Sequence, residues 1–234
     1  YLLDGNLNSK NCRDLLRMAS ELGNNGHSPV WRSLHQGCLD YIMSQAFADG
    51  RESKMAAGQV FAAVQSDGSV ITWGDDDFGG DSSRVEHRFQ AGVMQVVGNC
   101  CAFAAVKSDG SVVTWGAADS GGDSSRVEHR LQEGVVQVVG NYRAFAAVKS
   151  DGSVVTWGDD ALGGDSSRVE HRLQAGVVQV VGNCCAFAAV KSDGSVVTWG
   201  DAALGGDSSR VEHRLQACVV QVVGTNFAFA AVKS

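Results

Sequence analysis

FAAVKSDGSVVTWG, residues 187–200, is the stretch that decides the fold, because it recurs unchanged at 145–158 and 103–116 and nearly unchanged at 61–74. A second motif, DSSRVEHR, occurs at 81–88, 123–130, 165–172 and 207–214. Both motifs recur every 42 residues. A repeat of this size is one supersecondary unit that must bury its apolar face against its neighbours. Stacked repeats build extended surfaces, which favours recognition over catalysis.

The third repeat illustrates the predicted strands. VVQVV at 177–181 is rich in β-branched residues and predicts a first strand, and AFAAVK at 186–191 predicts a second. Residues 192–195 contain Asp-Gly, which predicts a tight two-residue turn with positive φ angles. VVTW at 196–199 then predicts a third strand, antiparallel to the second. The strands are apolar on both faces, so we expect them to lie between neighbouring layers.

The fourth element of each repeat has two interpretations. In the copy at 165–176, Ser167 and Glu170 match a capping box, Val169 and Leu173 share a helical face, and Gly176 follows as a stop signal. This pattern favours a short helix over a fourth strand, and the helix would need packing to be stable. Asp165 is expected to cap the helix or turn that follows it.

The region before the repeats has a different pattern. Cys12, Leu15, Leu16, Ala19 and Leu22 have helical spacing, and a second helix is predicted between Ser28-Pro29 and Gly50. We therefore divide the chain into a helical cap region at 1–58 and a repeat region at 59–234. The predicted repeat boundaries are 59–100, 101–142, 143–184, 185–226 and a partial repeat at 227–234.

Composition narrows the class of protein. The 234-residue chain is 44% hydrophobic with a net charge of −7, which supports a buried core and argues against a nucleic-acid partner. We expect no transmembrane segment, because no apolar run approaches the length needed to span a bilayer. The seven cysteines lack metal-ligand spacing and predict free thiols. A reducing cytoplasm or nucleus is favoured, and organelle import after removal of a presequence stays open.

Tryptophan and glycine recur at fixed positions of the repeat. The structural interpretation of the tryptophans, as wedges between consecutive sheets, is favoured over an aromatic ligand site. The glycines of the Asp-Gly turns are also interpreted as structural. These residues are Trp73, Trp115, Trp157, Trp199, Gly68, Gly110, Gly152 and Gly194.

FAAVKSDGSVVTWG at 187–200, followed by Gly205-Gly206-Asp207, resembles the repeat of the regulator-of-chromosome-condensation (RCC1-like) family. The resemblance covers roughly 59–234 and implies a β-propeller, commonly of seven four-stranded blades. It also implies a guanine-nucleotide exchange factor for a small GTPase, a part of a ubiquitin ligase, or a protein-interaction platform. The unit here is shorter than the family's usual blade, its loop reads Gly-Gly-Asp-Ser-Ser, and the repeats are too few for seven blades. The predicted fold class is therefore mainly β, either an RCC1-like propeller or an open propeller-like array, with an N-terminal helical hairpin.

Three polar patterns are candidates for a catalytic site, a metal site or a protein-binding surface. Glu-His pairs recur in all four copies, but a catalytic site needs one unequal constellation, so a solvated face is the favoured interpretation. The recurring acids of the Asp-rich loops suggest calcium, but they match neither an EF-hand nor a calcium-binding repeat. No cofactor or metal is predicted. Paired arginines form a candidate protein-binding stripe, and they are Arg84, Arg88, Arg126, Arg130, Arg168, Arg172, Arg210 and Arg214.

The sequence therefore predicts a non-catalytic protein-protein interaction or scaffold module within a larger assembly. Protein partners are expected, and enzymatic activity is not. The alternative is an exchange factor for a small GTPase or the substrate-recognition part of a ubiquitin ligase. An exchange factor of this family needs an insertion projecting from one blade, and the even 42-residue spacing contains none. A ligase would need a catalytic domain outside this chain.

Overall fold

The computed structural model describes residues 60–234, in which short antiparallel sheets follow one another along the chain. The predicted helices of the region 1–58 lie outside the described residues. The first sheet contains β1 (Val60–Val64) and β2 (Val70–Gly74). Three complete sheets follow, and their strands are β3 (Val93–Gly98), β4 (Ala102–Lys107), β5 (Val112–Gly116), β6 (Val135–Gly140), β7 (Ala144–Lys149), β8 (Val154–Gly158), β9 (Val177–Gly182), β10 (Ala186–Lys191) and β11 (Val196–Gly200). The last sheet contains β12 (Val219–Gly224) and β13 (Phe229–Lys233).

Each complete sheet has the order first strand, second strand, third strand, and both pairings are antiparallel. This arrangement confirms the three strands predicted for each repeat. Successive sheets contact one another through their first and second strands, in the manner of successive propeller blades. The described residues therefore form the expected mainly β, propeller-like array.

The hydrophobic core lies between consecutive sheets. One cluster contains Ala104 and Val106 from one sheet together with Phe145, Val155 and Trp157 from the next. The same composition recurs one repeat earlier and one repeat later. The second strand of each complete sheet is buried on both faces, as its doubly apolar sequence predicts. Each repeat therefore depends on its neighbours for its core.

The fourth element is a short 3₁₀ segment in each repeat. These segments are Glu86–Arg88, Glu128–Arg130, Glu170–Arg172 and Ser209–Arg214. The capping box expected at Ser167 is wrong, because the segment begins after Val169, whose side chain has no capping atom. Instead, Leu173 is buried and Val169 packs beside it in the core between two sheets. The apolar pair was thus correctly placed on one face, although the helix has a single turn.

The Asp-Gly turns also differ from the expectation. In the turn between β10 and β11 the Lys191 amide donates to the Ser195 carbonyl at 2.9 Å, and Gly194 alone in the turn has a positive φ of 75°. The turn is therefore a type I turn that ends in a left-handed glycine, rather than a two-residue turn with two positive angles. The physical reason is that the Asp193 carboxylate accepts the Ser195 amide at 2.8 Å, which holds Asp193 in an ordinary conformation.

A 3₁₀ loop after each third strand joins neighbouring repeats. The Trp157 indole donates to the carbonyl of Gly121 in the preceding repeat at 3.0 Å, and Trp115 and Trp199 make the same bond to Gly79 and Gly163 at 3.1 Å. Gly121 has φ 93°, and a methyl group on it would lie 2.7 Å from the Phe145 ring. No residue with a side chain fits this contact without displacement.

A buried asparagine at the connection between the first two strands of the same sheet fixes this loop. The Asn141 side-chain amide donates to the Leu162 carbonyl at 2.6 Å, and its oxygen accepts the amides of Arg143 and Ala144. Asn99 and Asn183 make equivalent bonds to Ser120 and Leu204. Since Leu162 precedes Gly163, the asparagine of one sheet positions the glycine that receives the tryptophan of the next sheet.

We predict that Asn141→Ala lowers the free energy of unfolding by about 1–3 kcal/mol or more, because it leaves buried backbone groups unsatisfied. Asn141→Thr should lose less stability. Thr225, at the equivalent position of the fourth repeat, still accepts the Ala228 amide at 3.2 Å through its hydroxyl. Urea titration followed by circular dichroism measures both variants. Equal losses for Ala and Thr would contradict the role given to the oxygen acceptor.

Candidate protein-binding surface

A bulge in each first strand projects an apolar side chain into solvent. The register between β6 and β7 shifts from Val135 opposite Lys149 to Gln137 opposite Val148, so Val136 is the extra residue. The other repeats have the same shift. The four bulged residues are Met94, Val136, Val178 and Val220, with exposed fractions of 58%, 62%, 61% and 60%. We call these four residues the bulge row.

The bulge row is a surface that the sequence analysis missed. VVQVV reads as a uniform buried strand, and only the paired register shows that one valine lacks a partner. A bulge of this kind re-aims a side chain and commonly lies beside a functional surface. The first strands of successive sheets contact one another, so the row runs along the array. Contiguous exposed apolar surface, rather than single exposed side chains, marks interaction sites, and a row that crosses four sheets is a candidate for such a surface.

The candidate arginines divide into two groups. Arg84, Arg126, Arg168 and Arg210 are exposed. The second arginine of the motif instead forms an ion pair with the glutamate of the next repeat in three copies. The Nη to Oε1 distances are 3.1 Å for Arg88–Glu128, 3.4 Å for Arg130–Glu170 and 3.1 Å for Arg172–Glu212.

These ion pairs join repeats rather than leaving the arginines free for a partner. Arg130 and Arg172 also donate to the carbonyls of Val154 and Val196 in the next repeat at 3.1 and 3.2 Å. Exposed pairs of this kind contribute only about 0–1 kcal/mol each to the free energy of unfolding. Arg214 holds the equivalent position in the fourth repeat and is exposed.

Two grooves between adjacent repeats lie beside these arginines. The groove lined by Arg84, Arg88 and Asp123 has a volume of about 710 Å³. Its counterpart one repeat later, lined by Arg126, Arg130 and Asp165, has about 930 Å³. Both grooves mix acidic, basic and hydroxyl side chains. The histidines of the motif are exposed.

The recurring loop aspartates act within their own turns. The Asp165 carboxylate accepts the Ser167 amide at 2.8 Å, which confirms its expected role as a turn cap. The amide and then the hydroxyl of Ser167 lower the pKa of Asp165, and Arg168 adds a smaller attraction. The pKa of Asp123 is lowered in the same way by Ser125 and Arg126. Within residues 60–234, no cluster of His, Cys, Asp and Glu side chains is arranged to hold a metal ion.

The two residues between the first and second strands of a sheet, which we call the slot, are Cys100-Cys101, Tyr142-Arg143, Cys184-Cys185 and Asn226-Phe227. Their sequence varies because backbone atoms, not side chains, make the hydrogen bonds from one slot to the next. The Tyr142 amide donates to the Cys184 carbonyl at 3.0 Å, and the Cys184 amide donates to the Asn226 carbonyl at 3.1 Å. Side chains of this slot are therefore free to differ. Tyr142 and Phe227 are both exposed. Arg143 instead forms ion pairs with Asp119 and Asp159.

Four cysteines lie in this slot. The sulfur atoms of Cys100 and Cys101 lie next to each other, and Cys184, Cys185 and Cys218 are free thiols, as the sequence predicts. Burial, followed by the neighbouring Cys184 thiol, raises the pKa of Cys185 to about 12.

No helix within residues 60–234 has the length and apolar character that a membrane span requires. No family model and no curated protein matches the chain. Solved structures with a similar arrangement include human WBSCR16, with 19% identity, a TM-score of 0.49 and coverage of 75% of this chain and 57% of that chain. Yeast RCC1 (Prp20) bound to Kap60 has 16% identity, a TM-score of 0.48 and coverage of 72% and 50%. The CRINKLY WD40 ectodomain of the Arabidopsis thaliana receptor kinase ACR4 has 15% identity, a TM-score of 0.46 and coverage of 78% and 60%.

The chain thus spans about half the length of the structures it resembles, at identities below 20%. Prp20p of Saccharomyces cerevisiae is described with its binding to Gsp1p and histones, which is a property of that protein. A similarity at this level does not transfer an activity or a partner.

We predict that the loop aspartates make stability sensitive to acid. A carboxylate whose pKa is lower in the folded state stabilises the fold above its unfolded-state pKa, near 4, and this contribution disappears as the pH falls through the folded-state value. Asp123→Asn with Asp165→Asn should therefore show a smaller loss of urea midpoint between pH 5 and pH 2 than the wild type. Asp76→Asn with Asp160→Asn, which removes two exposed carboxylates elsewhere, is the matched control. If the Asp123→Asn with Asp165→Asn variant lost as much urea midpoint between pH 5 and pH 2 as the wild type, the stabilising role given to these two carboxylates would be contradicted.

Proposed function

We propose that the chain is a non-catalytic protein-protein interaction or scaffold module that works within a larger assembly. The observation that carries this proposal is the bulge row, in which four exposed apolar side chains recur at one position of four consecutive repeats. An elongated partner can contact several of these positions at once. Linked weak contacts then add to one stronger association, provided that the geometry permits simultaneous engagement.

The polar groups of the surface support the same proposal. Each exposed arginine, histidine and loop aspartate is present in nearly equal copies, whereas catalysis needs one unequal set of groups with a perturbed member. The exposed arginines Arg84 and Arg126 line the two grooves, and Arg168 and Arg210 hold the equivalent positions of the later copies. These arginines supply charge for an acidic partner segment. Charges at such a rim mainly steer association and set its rate.

We predict that Val136→Lys with Val178→Lys abolishes capture of the native partners while the fold is retained. The two side chains are exposed, so the substitutions should change the free energy of unfolding by about 0.5 kcal/mol or less. Quantitative mass spectrometry of tagged chain recovered from native extract measures the partners. The matched control is Gln132→Lys with Gln174→Lys, because both glutamines are exposed and lie outside the bulge row. An unchanged set of captured proteins would contradict the role of the bulge row.

Arginine reversal tests the second part of the surface. Changing Arg84, Arg126, Arg168 and Arg210 to Glu spares the arginines that join repeats, so the fold should persist. We expect slower association and a weaker dependence on salt if these residues face an acidic partner. Unchanged kinetics would remove them from the interface.

The exchange-factor alternative makes a separate prediction. A nucleotide-release assay against a panel of small GTPases should show no stimulation above the intrinsic rate if the chain is a non-catalytic module. Clear stimulation of one GTPase would replace the proposed function with the alternative. The Val136→Lys and Val178→Lys variant would then show whether exchange uses the same surface.

A further inference from the structure

Two of the four slots hold a pair of adjacent cysteines. Cys184 and Cys185 are half-buried thiols, and the two thiols are hydrogen-bonded to each other. Cys100 and Cys101 occupy the equivalent slot two repeats earlier, where their sulfur atoms also lie next to each other. Each pair thus presents two sulfur atoms side by side at a partly exposed point of the surface.

The backbone holds each pair in a fixed position. The Asn183 side-chain oxygen accepts the Cys185 amide at 2.8 Å, and the Cys184 amide donates to the Asn226 carbonyl of the next slot at 3.1 Å. Asn99 holds the first pair in the same way, at 3.0 Å. The sulfur atoms take no part in these bonds, so both thiols of a pair are available to a ligand.

A direct disulfide fits two adjacent residues poorly. The α-carbons of Cys100 and Cys101 are 3.8 Å apart, which is the spacing across any trans peptide. Disulfides usually join α-carbons about 4.4–6.8 Å apart, and departures from this range store strain and make the bond easier to reduce. Burial, followed by the Cys184 thiol, also raises the pKa of Cys185 to about 12, and a protonated thiol is a weak nucleophile in disulfide exchange. We therefore expect the pairs to persist as dithiols.

Two thiols side by side favour a ligand atom that bonds to both sulfur atoms at once. Such an atom enlarges the ring that the two side chains have to close, which removes the strain of a direct bridge. A structural zinc ion needs four ligands, and within residues 60–234 no group of three or more His, Cys, Asp and Glu side chains could hold one. Trivalent arsenic is soft and needs only two thiols and a hydroxide, so it matches the ligands that a pair offers.

We propose that each Cys-Cys slot binds trivalent arsenic, in the form of arsenous acid, between its two sulfur atoms. Two As–S bonds form and two As–O bonds break, and each thiol proton leaves with a hydroxide as water. The third hydroxide stays on arsenic, which remains trivalent, so the step needs no oxidant or reductant. The first As–S bond makes the second intramolecular, which strengthens binding by roughly 10²–10⁴-fold over a lone thiol.

The test is native mass spectrometry of the full, reduced chain titrated with arsenite. A saturated chain should carry two arsenic atoms, one for each Cys-Cys pair. At the same arsenite concentration Cys184→Ser should carry one, because the remaining thiol of that slot binds arsenic roughly a hundredfold more weakly or worse. The matched control is Cys218→Ser, which removes an exposed lone thiol and should keep both arsenic atoms.

Two further variants separate arsenic binding from an effect on folding. Cys184→Tyr with Cys185→Arg gives the slot the sequence that the fold already holds at residues 142–143, and this variant should bind one arsenic atom. Replacing the other three cysteines, Cys12, Cys38 and Cys218, by serine leaves only the two pairs, and that variant should still bind two. An excess of a dithiol reagent should release the arsenic, whereas a monothiol at the same thiol concentration should not.

Several results would overturn the inference. They are no saturable binding up to roughly 1 mM arsenite, equal binding by Cys184→Ser and the wild type, or loss of arsenic from the variant that keeps only the two pairs. Closure of the pairs into disulfides in a glutathione buffer would also overturn it. The Val136→Lys with Val178→Lys variant should bind two arsenic atoms like the wild type, since the bulge row and the slots lie at opposite ends of the first strands. The proposed protein-binding function and this inference can therefore fail separately.

Discussion

The hydrogen bond between a tryptophan indole and the loop glycine of the preceding repeat is the contact on which the array depends. It requires a glycine, because the loop backbone touches both the phenylalanine and the tryptophan of the next sheet, as at Gly121 with Phe145 and Trp157. The loop is itself fixed by an asparagine of its own sheet. Each repeat thus provides the loop that accepts the tryptophan of the next repeat, and each repeat is stabilised by contacts with its nearest neighbours.

The contacts between repeats also determine at which surface positions the sequence can differ from one repeat to the next. Where the backbone makes the link, as at Tyr142 and Cys184, side chains are unconstrained and the sequence differs between repeats. Where side chains make the link, as in Arg130 with Glu170, the motif is repeated without change. The second arginine of the DSSRVEHR motif therefore has a contact to the next repeat that the first arginine lacks. The first arginine and the bulged residue have no such role in packing, and this leaves them available for a partner.

The parts of the fold that were predictable from sequence are those set by local pattern. Strand positions follow from β-branched runs and the Asp-Gly turn, and the interlayer burial of β10 follows from its two apolar faces. The bulge at Val136 was not predictable, because it depends on register with β7 rather than on composition. The same is true of the ion pairs between repeats, whose partners lie 40 residues apart in sequence. The turn at Asp193 was placed correctly but given the wrong type, since its carboxylate hydrogen bond was overlooked.

One sequence, FAAVK, occupies two environments in the same molecule, and this shows why local pattern cannot specify burial in a repeat array. In β10 the segment is enclosed by strands on both edges and sheets on both faces, whereas in β13 most of it is exposed. The difference comes entirely from the neighbours. The hydrophobic free energy that β10 gains therefore depends on the strands and sheets around it as much as on its own residues. In a nearest-neighbour array, the burial of each sheet is set by the sheets that pack on either side of it.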